Sequence, residues 1–348
     1  MVKPRWTHSK VMLIADPQMT DDKSYERHWL IMALTKFYSA LYMKRNYRHL
    51  NYQLKPTDTI ILGDLMDNGR EWQDDGFFDK EVQRFHTIFP PNNHLHYMAG
   101  NHDIGFGQRI NATRVDRFEH YFGPTFYTFE KHGFLFVVLD TVSLCSNESA
   151  IPLLDNIPQH PRTLLFTHIP LYRAASQTCG PYRRQSRSNW ILNEAGYQYQ
   201  NLVPEHLSNL ILDKVKPLLV FSGDDHDYCK VIHRDNVPEM TLPTFSMAQG
   251  VRFPGLMVLD LAQEGLSTHL CWLPDQVELF IQYGYLLIFT LVCLFPWRSG
   301  TNQPSLSKEE LGITQPTTSV GLKKHVLSSL RYVACVAITT YIFCLCMF

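Results

Sequence analysis

The sequence lacks an excess of charge of either sign. Its 348 residues carry 32 basic and 33 acidic side chains, so the formal net charge is −1 and no global field attracts nucleic acid or an anionic membrane. It also lacks internal repeats and low-complexity tracts, and its 13% aromatic content excludes a disordered chain. The first ten residues contain no signal peptide or membrane anchor. What is left is a globular chain that is long enough to bury a substantial core.

Hydrophobic residues are concentrated near the carboxyl end of the chain. One apolar run covers residues 279–297, and a second covers residues 326–348 if Arg331 reaches the lipid headgroups. Both approach the about 20 apolar residues that a transmembrane helix needs. We therefore predict a C-terminal transmembrane helical hairpin, with two buried core helices as the alternative.

The segment between the two apolar runs carries the basic residues that set membrane topology. This predicted loop, residues 298–325, contains Arg298, Lys308, Lys323 and Lys324. Basic residues flank membrane helices on the cytoplasmic side, so the loop is predicted to be cytosolic and the preceding domain, residues 1–275, lumenal. Because residues 1–10 contain no anchor, translocation depends on the hairpin or on a segment upstream of this chain.

Two further features agree with a lumenal domain. Glycosylation sequons occur at Asn111 and Asn147, although such triplets are common by chance. Four cysteines precede the first apolar run, an even number that an oxidising lumen could pair: Cys145, Cys179, Cys229 and Cys271. Four cysteines allow three pairings, and the sequence does not choose among them.

The amino-terminal domain alternates short β-rich runs with helical stretches. Buried strands are predicted at residues 10–15, 59–62, 95–99, 134–139, 163–166 and 218–221, and closing strands at residues 257–261 and 269–272. Helices are predicted at residues 25–48, which we interpret as a long amphipathic helix, and at residues 77–89. This alternation predicts a layered α/β sandwich with its function at the strand ends.

Polar residues that can bind a metal follow five of the predicted strands. They are Asp16 and Gln18; Asp64 in the run GDLMDNGR; Asn101, His102 and Asp103 in the run GNHD; His168; and Asp224 and His226 in the run SGDDHD. A single such residue is usually part of a turn or of the core. Five strand ends that deliver such residues to one edge of a sheet indicate a functional site.

The order of these motifs, D-x-[HQ], G-D, G-N-H-D, H and G-[HD]-x-H, resembles that of the calcineurin-like metallophosphoesterase superfamily over nearly all of residues 10–270. The resemblance implies a four-layer α/β/β/α sandwich that binds two divalent metal ions. It assigns Asp16, Gln18, Asp64 and His226 to one ion, and Asp64, Asn101, His168 and Asp224 to the other, with Asp64 as the bridging ligand.

Two departures narrow the resemblance. Gln18 and Asp224 stand where most members of the superfamily have histidine. With Gln18 and Asp224 at these positions, and with the runs around Asp64 and His226, the sequence resembles the fungal endoplasmic-reticulum enzymes that remove ethanolamine phosphate from the mannoses of GPI anchors. Lumenal catalytic domains with membrane anchors are typical of that group, whereas the missing N-terminal anchor is a mismatch.

The remaining polar residues of the motifs have expected supporting roles. His102 is placed to donate a proton to the leaving alkoxide, or to stabilise its developing charge, and Asp103 is a candidate for orienting it. Asp67 is expected to support the shell around Asp64. The planar guanidinium of Arg70 can contact a phosphate oxygen. An equally good interpretation is that Arg70 forms an ion pair at the protein surface.

The two departures also have consequences for the metal and the substrate. An amide and a carboxylate in place of two imidazoles make the site harder, so Mn²⁺ or Mg²⁺ is favoured over Zn²⁺. Three carboxylates and a bridging hydroxide neutralise two divalent ions, which favours a monoanionic diester over a dianionic monoester. We therefore predict a manganese-dependent phosphodiesterase in the endoplasmic-reticulum or early Golgi membrane. Its substrate would be a GPI-anchor glycan or a GPI-anchored protein.

Alternative functions belong to other classes. A membrane-anchored phosphoprotein phosphatase would need a basic groove for a peptide, which Arg183, Arg184 and Arg187 could supply. A non-catalytic membrane protein with a decayed metal site would explain Gln18 and Asp224, although both residues can still bind a metal. Nucleic-acid substrates are disfavoured by the neutral composition and by the predicted membrane anchors.

Overall fold

The computed structural model describes residues 9–72, 75–185, 188–262 and 265–294, together with Arg331 and Val333. The chain divides into two units, residues 1–276 and 277–348. Within the described part of the first unit, the main elements are two β-sheets. One has the strand order β13 (Gly265–Trp272), β12 (Gly255–Ala262), β1 (Ser9–Ile14), β2 (Asp58–Ile61) and β3 (Leu95–Tyr97). The other has the order β10 (Cys229–Ile232), β11 (Pro238–Thr241), β9 (Leu219–Ser222), β6 (Thr163–Thr167), β5 (Phe134–Leu139) and β4 (Tyr127–Lys131).

Each sheet combines neighbouring parallel strands with antiparallel strands at one or both margins. In the first sheet β1, β2 and β3 are parallel, and in the second β5, β6, β9 and β11 are parallel. Strands β12, β13, β4 and β10 run antiparallel to their neighbours. A small hairpin, β7 (Ala195–Gly196) and β8 (Tyr199–Gln200), lies outside both sheets. The parallel strands bring their carboxyl ends to one edge of each sheet, where ligands bind in open α/β folds.

Helices connect these strands. The described helices are α1 (Trp29–Leu54), α2 (Asp75–Ile88), α3 (Asn101–Ile104), α4 (Ala112–Phe122), α5 (Thr141–Ser146), α6 (Glu205–Val215) and α7 (Gln276–Leu294). Short 3₁₀ segments occur at Gly69–Glu71, Gly107–Arg109, Glu148–Asn156 and Arg234–Asn236.

The strands are buried on both faces, which identifies the layers of the sandwich. Along β1, Val11 and Leu13 belong to a core cluster between the two sheets, whereas Met12 belongs to the cluster that also contains Met43 and Tyr47 of α1. Strand β5 alternates in the same way, and its outer face joins the cluster that includes residues of α6. Successive strand residues point to opposite faces, so each sheet packs against the other sheet on one side and against helices on the other.

A row of stacked phenylalanine rings fills the space between the sheets. The ring centroids of Phe129 and Phe136 are 4.7 Å apart, those of Phe136 and Phe166 are 5.7 Å apart, and those of Phe166 and Phe221 are 5.5 Å apart. Burying such aromatic side chains contributes about 2–3 kcal/mol each. This packing holds the carboxyl ends of strands β5, β6 and β9 in fixed relative positions.

The structure differs from the predicted elements in the two main sheets and in the first helix. Strands β4, β10 and β11 were not predicted, since their sequences mix polar with apolar residues: β10 buries only alternate side chains. Helix α1 begins at Trp29 and ends at Leu54, where Lys55 caps it in the left-handed conformation. The prediction that this helix is amphipathic is wrong for its amino-terminal part, whose exposed side chains are apolar.

One disulfide connects the segment after β6 to the second sheet. Cys179 bonds to Cys229, while Cys145 and Cys271 are free. The sequence allowed three pairings of these four cysteines, each with two bonds. The structure contains one bond of one pairing, Cys179–Cys229. The closed loop of 50 residues lowers the entropy of the unfolded chain, which contributes about 4 kcal/mol in the loop-closure model.

The second unit is described mainly through α7. The side chains of this helix from Val277 to Phe289 include many large apolar groups that are exposed. Among the described residues, no helix is both long enough and apolar enough to span a membrane. The first predicted span, residues 279–297, runs past the last described residue of α7. The predicted loop at residues 298–325, and the predicted span at 326–348 apart from Arg331 and Val333, lie outside the described residues.

Candidate metal centre

The predicted metal ligands follow the carboxyl ends of parallel strands in both sheets. They come after β1 (Asp16, Gln18), β2 (Asp64), β3 (Asn101), β6 (His168) and β9 (Asp224, His226). Five of them, Asp16, Gln18, Asp64, Asp224 and His226, have positive φ angles between 32° and 67°. Non-glycine residues avoid this region, and such strain accumulates at functional sites because the surrounding fold enforces it.

Asp64 lies at the centre of the site and contacts residues from three other segments. Its Oδ2 accepts a hydrogen bond of 2.7 Å from Nε2 of Gln18. Its Oδ1 accepts one of 2.9 Å from the backbone N–H of His102 and lies 3.2 Å from Nε2 of His168. A carboxylate shared in this way occupies the position expected of a bridging ligand.

The Gln18 amide has a free acceptor atom at the site. Its nitrogen donates to Asp64, but its buried Oε1 lacks a hydrogen-bond partner. An unpaired buried polar atom costs about 1–3 kcal/mol, and a cation would satisfy it. The geometry therefore fits Gln18 as an oxygen ligand.

His168 gives a second, independent indication of a cation site. Its Nδ1 lies 2.8 Å from the carbonyl oxygen of Leu62, which can only accept, so Nδ1 carries the hydrogen. Its Nε2 then faces three oxygens, at 3.1 Å from Oδ1 of Asn101, 3.2 Å from Asp64 and 3.5 Å from Asp224. A nitrogen lone pair surrounded by acceptor oxygens requires a proton or a metal ion between them.

The Asp16 carboxylate and the backbone of Asp224 complete this arrangement. Both oxygens of Asp16 accept from the backbone N–H of Asp224, at 3.1 and 3.0 Å. Asp16, Asp64 and His168 bring one ligand atom each to within 4.8 Å of one another, and all three are buried. Oxygen and imidazole donors gathered at this spacing are the donor set of a divalent-metal centre.

The pKa values of the site describe an excess of buried negative charge. Burial raises the pKa of Asp16 well above its ordinary value, and burial opposed by the charge of His168 raises the pKa of Asp224 to about 7. Burial also acts on the pKa of Asp64, but the charges of His168 and His102 outweigh it and lower that pKa. Despite burial, Asp64 raises the pKa of His168 well above its ordinary value. A bound cation would replace the protons that these groups hold.

His226 differs from His168 in its protonation. Burial lowers the pKa of His226 to about 4, so the imidazole is neutral near pH 7. Neutral imidazole is the form that binds a metal. His226 therefore has the protonation state of a ligand, in agreement with the role that the motif implies.

His102 lies beside Asp64 with one ring nitrogen already engaged. Its Nδ1 donates to the backbone carbonyl of Asp67 and lies 3.7 Å from the carboxylate of that residue. Its Nε2 is 3.9 Å from Oδ2 of Asp64, at the mouth of the site. Asp67 was predicted to support the surroundings of Asp64. In the structure its backbone carbonyl holds the imidazole of His102 beside Asp64.

Asp103 was predicted to orient His102, but its carboxylate binds backbone N–H groups instead. The two oxygens of Asp103 accept from three backbone N–H groups, those of Leu65, Met66 and Gly100, at 2.9 to 3.1 Å. The carboxylate is buried against the loop that follows Asp64. Asp103 therefore connects the backbone that follows Asp64 to the backbone of Gly100, in the loop that carries Asn101.

Two glycines allow these loops to meet. A Cβ atom on Gly100 would lie 2.0 Å from Oδ1 of Asp64, and one on Gly63 would lie 2.4 Å from Nδ1 of His168. Gly63 also has a φ of 85°. The close approach of backbone to ligand explains why glycine precedes both Asp64 and Asn101.

Gln198 is a site residue that the sequence analysis missed. Its backbone carbonyl accepts from Nδ2 of Asn101 at 2.9 Å, which fixes Oδ1 of Asn101 toward His168. Its own Oε1 accepts from the N–H of Phe106. Gln198 lies in the turn between β7 and β8, 97 positions from Asn101, and no sequence motif marks it.

The arginines predicted to bind substrate are engaged with protein groups. Arg70 donates to the backbone carbonyl of Asn101 at 3.0 Å and lies 3.6 Å from Glu71. Arg183 pairs with both oxygens of Asp225, and Arg184 lies over the rings of Phe253 and Trp272. Arg187 lies outside the described residues. Arg183 therefore stabilises the loop of Asp224 and does not line a free basic groove.

The fold and these contacts define a class of protein: a metal-dependent phosphoester hydrolase. The chain belongs to the calcineurin-like phosphoesterase family, whose model matches residues 9–228, as the motifs predicted. Members of this family use a dinuclear centre of divalent metal ions, which the donor set described above fits.

Individual proteins resemble the chain over most of its length. It is 35% identical over 317 residues to Cell division control protein 1 of Saccharomyces cerevisiae, covering 81% of this chain and 64% of the yeast protein. It is 28% identical over 318 residues to Metallophosphoesterase 1 of Mus musculus, covering 81% of this chain and 77% of the mouse protein. Among solved structures, a dimetal phosphatase from Danio rerio aligns with 76% of this chain and 99% of its own length, with 13% identity and a TM-score of 0.45.

Proposed function

We propose that this chain is a phosphodiesterase that removes ethanolamine phosphate from a mannose of GPI-anchor glycans. The observation that carries the proposal is the oxygen-rich donor set. Five side chains offer oxygen, namely Asp16, Gln18, Asp64, Asn101 and Asp224, whereas His168 and His226 offer nitrogen. Three carboxylates leave little net charge on a centre with two divalent ions. Such a centre attracts a dianionic monoester less strongly than a cationic centre would. For a monoanionic diester this loss of attraction is smaller.

The residues divide the chemical work. The seven donors above would hold two divalent ions, which supply charge stabilisation at the phosphoryl oxygens and a water of lowered pKa. His102 holds its Nδ1 proton against the carbonyl of Asp67, so its Nε2 is the atom that delivers a proton to the leaving alkoxide. Arg70 positions the loop of Asn101 and His102 by its hydrogen bond to the Asn101 carbonyl.

The substrate assignment is tested with the full chain in membranes, Mn²⁺ and a GPI-like glycan carrying ethanolamine phosphate. We expect loss of ethanolamine phosphate from the glycan, measured by mass spectrometry, and little release of phosphate from a phosphopeptide. The control is Asp64→Asn, which removes one charge from the central ligand and should abolish both activities. Faster turnover of the phosphopeptide would favour the phosphoprotein phosphatase. No metal-dependent turnover of either substrate would favour the non-catalytic alternative.

The identity of the metal is a separate prediction from the same donor set. After a chelator has removed activity, Mn²⁺ should restore it better than Zn²⁺, because carboxylate and amide oxygens favour the harder ion. Turnover is measured against each metal at equal free concentration. Full recovery with Zn²⁺ and none with Mn²⁺ would contradict the argument from ligand hardness.

We also propose that the enzyme lies in the endoplasmic-reticulum or early Golgi membrane, with its catalytic domain lumenal. The apolar runs at 279–297 and 326–348 and the basic loop between them support this topology. The Cys179–Cys229 disulfide is a bond of the kind that oxidising compartments maintain.

This topology predicts glycosylation of the catalytic domain. Asn111 and Asn147 are both exposed. Asn111 accepts a hydrogen bond from Arg114 through Oδ1, so Nδ2, the atom that a glycan modifies, is outside that bond. In sealed microsomes we expect protection of the domain from protease and a glycosidase-sensitive mobility shift. Asn111→Gln and Asn147→Gln identify the modified sequon. Digestion without detergent, with no shift, would place the domain in the cytosol and exclude a lumenal glycan substrate.

A further inference from the structure

The amino-terminal part of α1 exposes mainly apolar and aromatic side chains. Of the ten residues 29–38, seven are exposed: Trp29, Leu30, Ile31, Ala33, Leu34, Phe37 and Tyr38. Trp29 is 71% exposed and Leu34 is 48% exposed. At 100° per residue, these seven side chains form one continuous arc of about 200° around the helix. Soluble surfaces rarely carry so large an apolar patch unless it binds something. We call these seven residues the apolar arc.

The apolar arc projects from the edge of the sandwich that carries the metal centre. Only residues 55–57 connect the end of α1 to β2, so this end is held at the amino edge of the sheet. With 26 residues the helix is about 39 Å long, whereas the six residues of β1 span about 20 Å. The excess length therefore extends past the carboxyl edge, where Asp16 and Asp64 lie.

A cleft with basic lining borders the apolar arc. It has a volume of about 450 Å³ and lies between α1 and α2. Phe37 of the arc lines one side. Of the cationic groups in the lining, Lys36 pairs with Asp22 at 2.7 Å and Arg84 pairs with Glu81 at 3.1 Å, whereas Lys44 forms no ion pair with another described residue. Apolar side chains next to cationic ones match the two layers of a lipid surface, acyl chains and phosphates.

Two further observations favour a lipid surface over a protein partner. Trp29 and Tyr38 lie near the two borders of the arc while Leu30 and Leu34 lie between them, the order that a helix lying in a membrane interface shows. Within the first unit, Tyr42 of α1 also donates to the carbonyl of Pro274, so the last residues of this unit lie against the same helix.

We infer that the apolar arc is a membrane-contact surface: it enters the lipid interface and holds the metal centre next to substrates that are borne by the membrane. The inference rests on the proposed membrane location of the domain, but not on the identity of the phosphodiester. It assigns to the catalytic domain a bilayer contact of its own, in addition to the proposed spans.

The first test measures the contact directly. The full chain is reconstituted into phosphatidylcholine vesicles with and without brominated acyl chains, and the fluorescence of Trp29 is obtained as the difference between the wild type and Trp29→Phe. We expect the Trp29 signal to be blue-shifted and quenched by the brominated lipid. An unquenched signal from protein that sediments with the vesicles would overturn the inference, because another part of the chain or a second copy would then cover the arc.

The second test measures the functional consequence with a matched pair of variants. Leu34→Glu should lower turnover of a vesicle-borne diester by about tenfold, since burial of a leucine side chain contributes about that factor. Turnover of soluble bis-nitrophenyl phosphate should not change. Leu218→Glu is the control, since Leu218 is similarly exposed, at 46%, and precedes β9 at the opposite edge. Equal losses on both substrates, or equal losses in both variants, would overturn the inference. Failure of the GPI-glycan assay alone would leave the quenching result intact.

Discussion

Replacing His102 by alanine should lower turnover of a substrate with an alkoxide leaving group by about 10²–10⁴-fold, the contribution typical of a general acid. The metal should stay bound, because His102 supports Asp64 through its backbone N–H, which the substitution keeps. Nitrophenyl esters need no protonation of the leaving group, so their turnover should fall much less. Steady-state rates on the two substrate types, with metal content measured by mass spectrometry, check the prediction.

The control for this variant is His120→Ala, which removes an exposed imidazole on α4. It should change neither rate. Equal losses of His102→Ala on glycan and nitrophenyl substrates would assign His102 a role other than proton donation. Loss of metal from His102→Ala would show that its ring contributes to the centre itself.

Replacing Gly100 by alanine should remove most of the bound metal and lower turnover on both substrate types by about 10²-fold or more. The added Cβ would lie 2.0 Å from Oδ1 of Asp64 and 2.3 Å from its backbone nitrogen, so the central carboxylate must move. A displacement of about 1 Å at a catalytic centre can cost about that factor. Metal content and turnover are measured on protein whose thermal unfolding shows a folded state.

Gly265→Ala provides the matched control for Gly100→Ala. A Cβ atom on Gly265 would have no neighbouring heavy atom within 4 Å. This variant should therefore keep both its metal and its activity. A Gly100→Ala protein that binds metal and turns over normally would show that the loop of Asp64 relaxes freely, contrary to the packing described above.

The strands that carry the centre could be predicted from sequence because their cores are continuous apolar runs. Strand β5, buried at every position, and strand β6 were predicted to within one residue of their ends. Strand β11 was not predicted, since its second residue is Glu239, which interrupts the apolar pattern. That carboxylate is buried in an ion pair of 2.9 Å with Arg173, a contact between residues 66 positions apart that no local pattern indicates.

The same distinction applies to the metal centre. Residues in short motifs, such as Asp64 and His102, could be identified because each motif follows a strand end. The role of Asp103 could not be identified. This role depends on which backbone N–H groups the folded loops bring to the oxygens of Asp103. Gln198 was missed for a related reason: its contact is made by a backbone carbonyl, which is the same group in every residue type.

The left-handed backbone of the ligand residues has a consequence for engineering. Five non-glycine residues at positive φ, each costing about 1 kcal/mol, together oppose folding by about 5 kcal/mol, a large share of a domain's net stability. Glycine at Asp16 or Asp224 would relieve part of this cost and delete a ligand at the same time. Selection for heat resistance alone would therefore favour inactive variants, a trade-off between stability and activity. Thermostable forms of this enzyme are better sought away from the strand ends, in a screen that retains metal binding as a criterion.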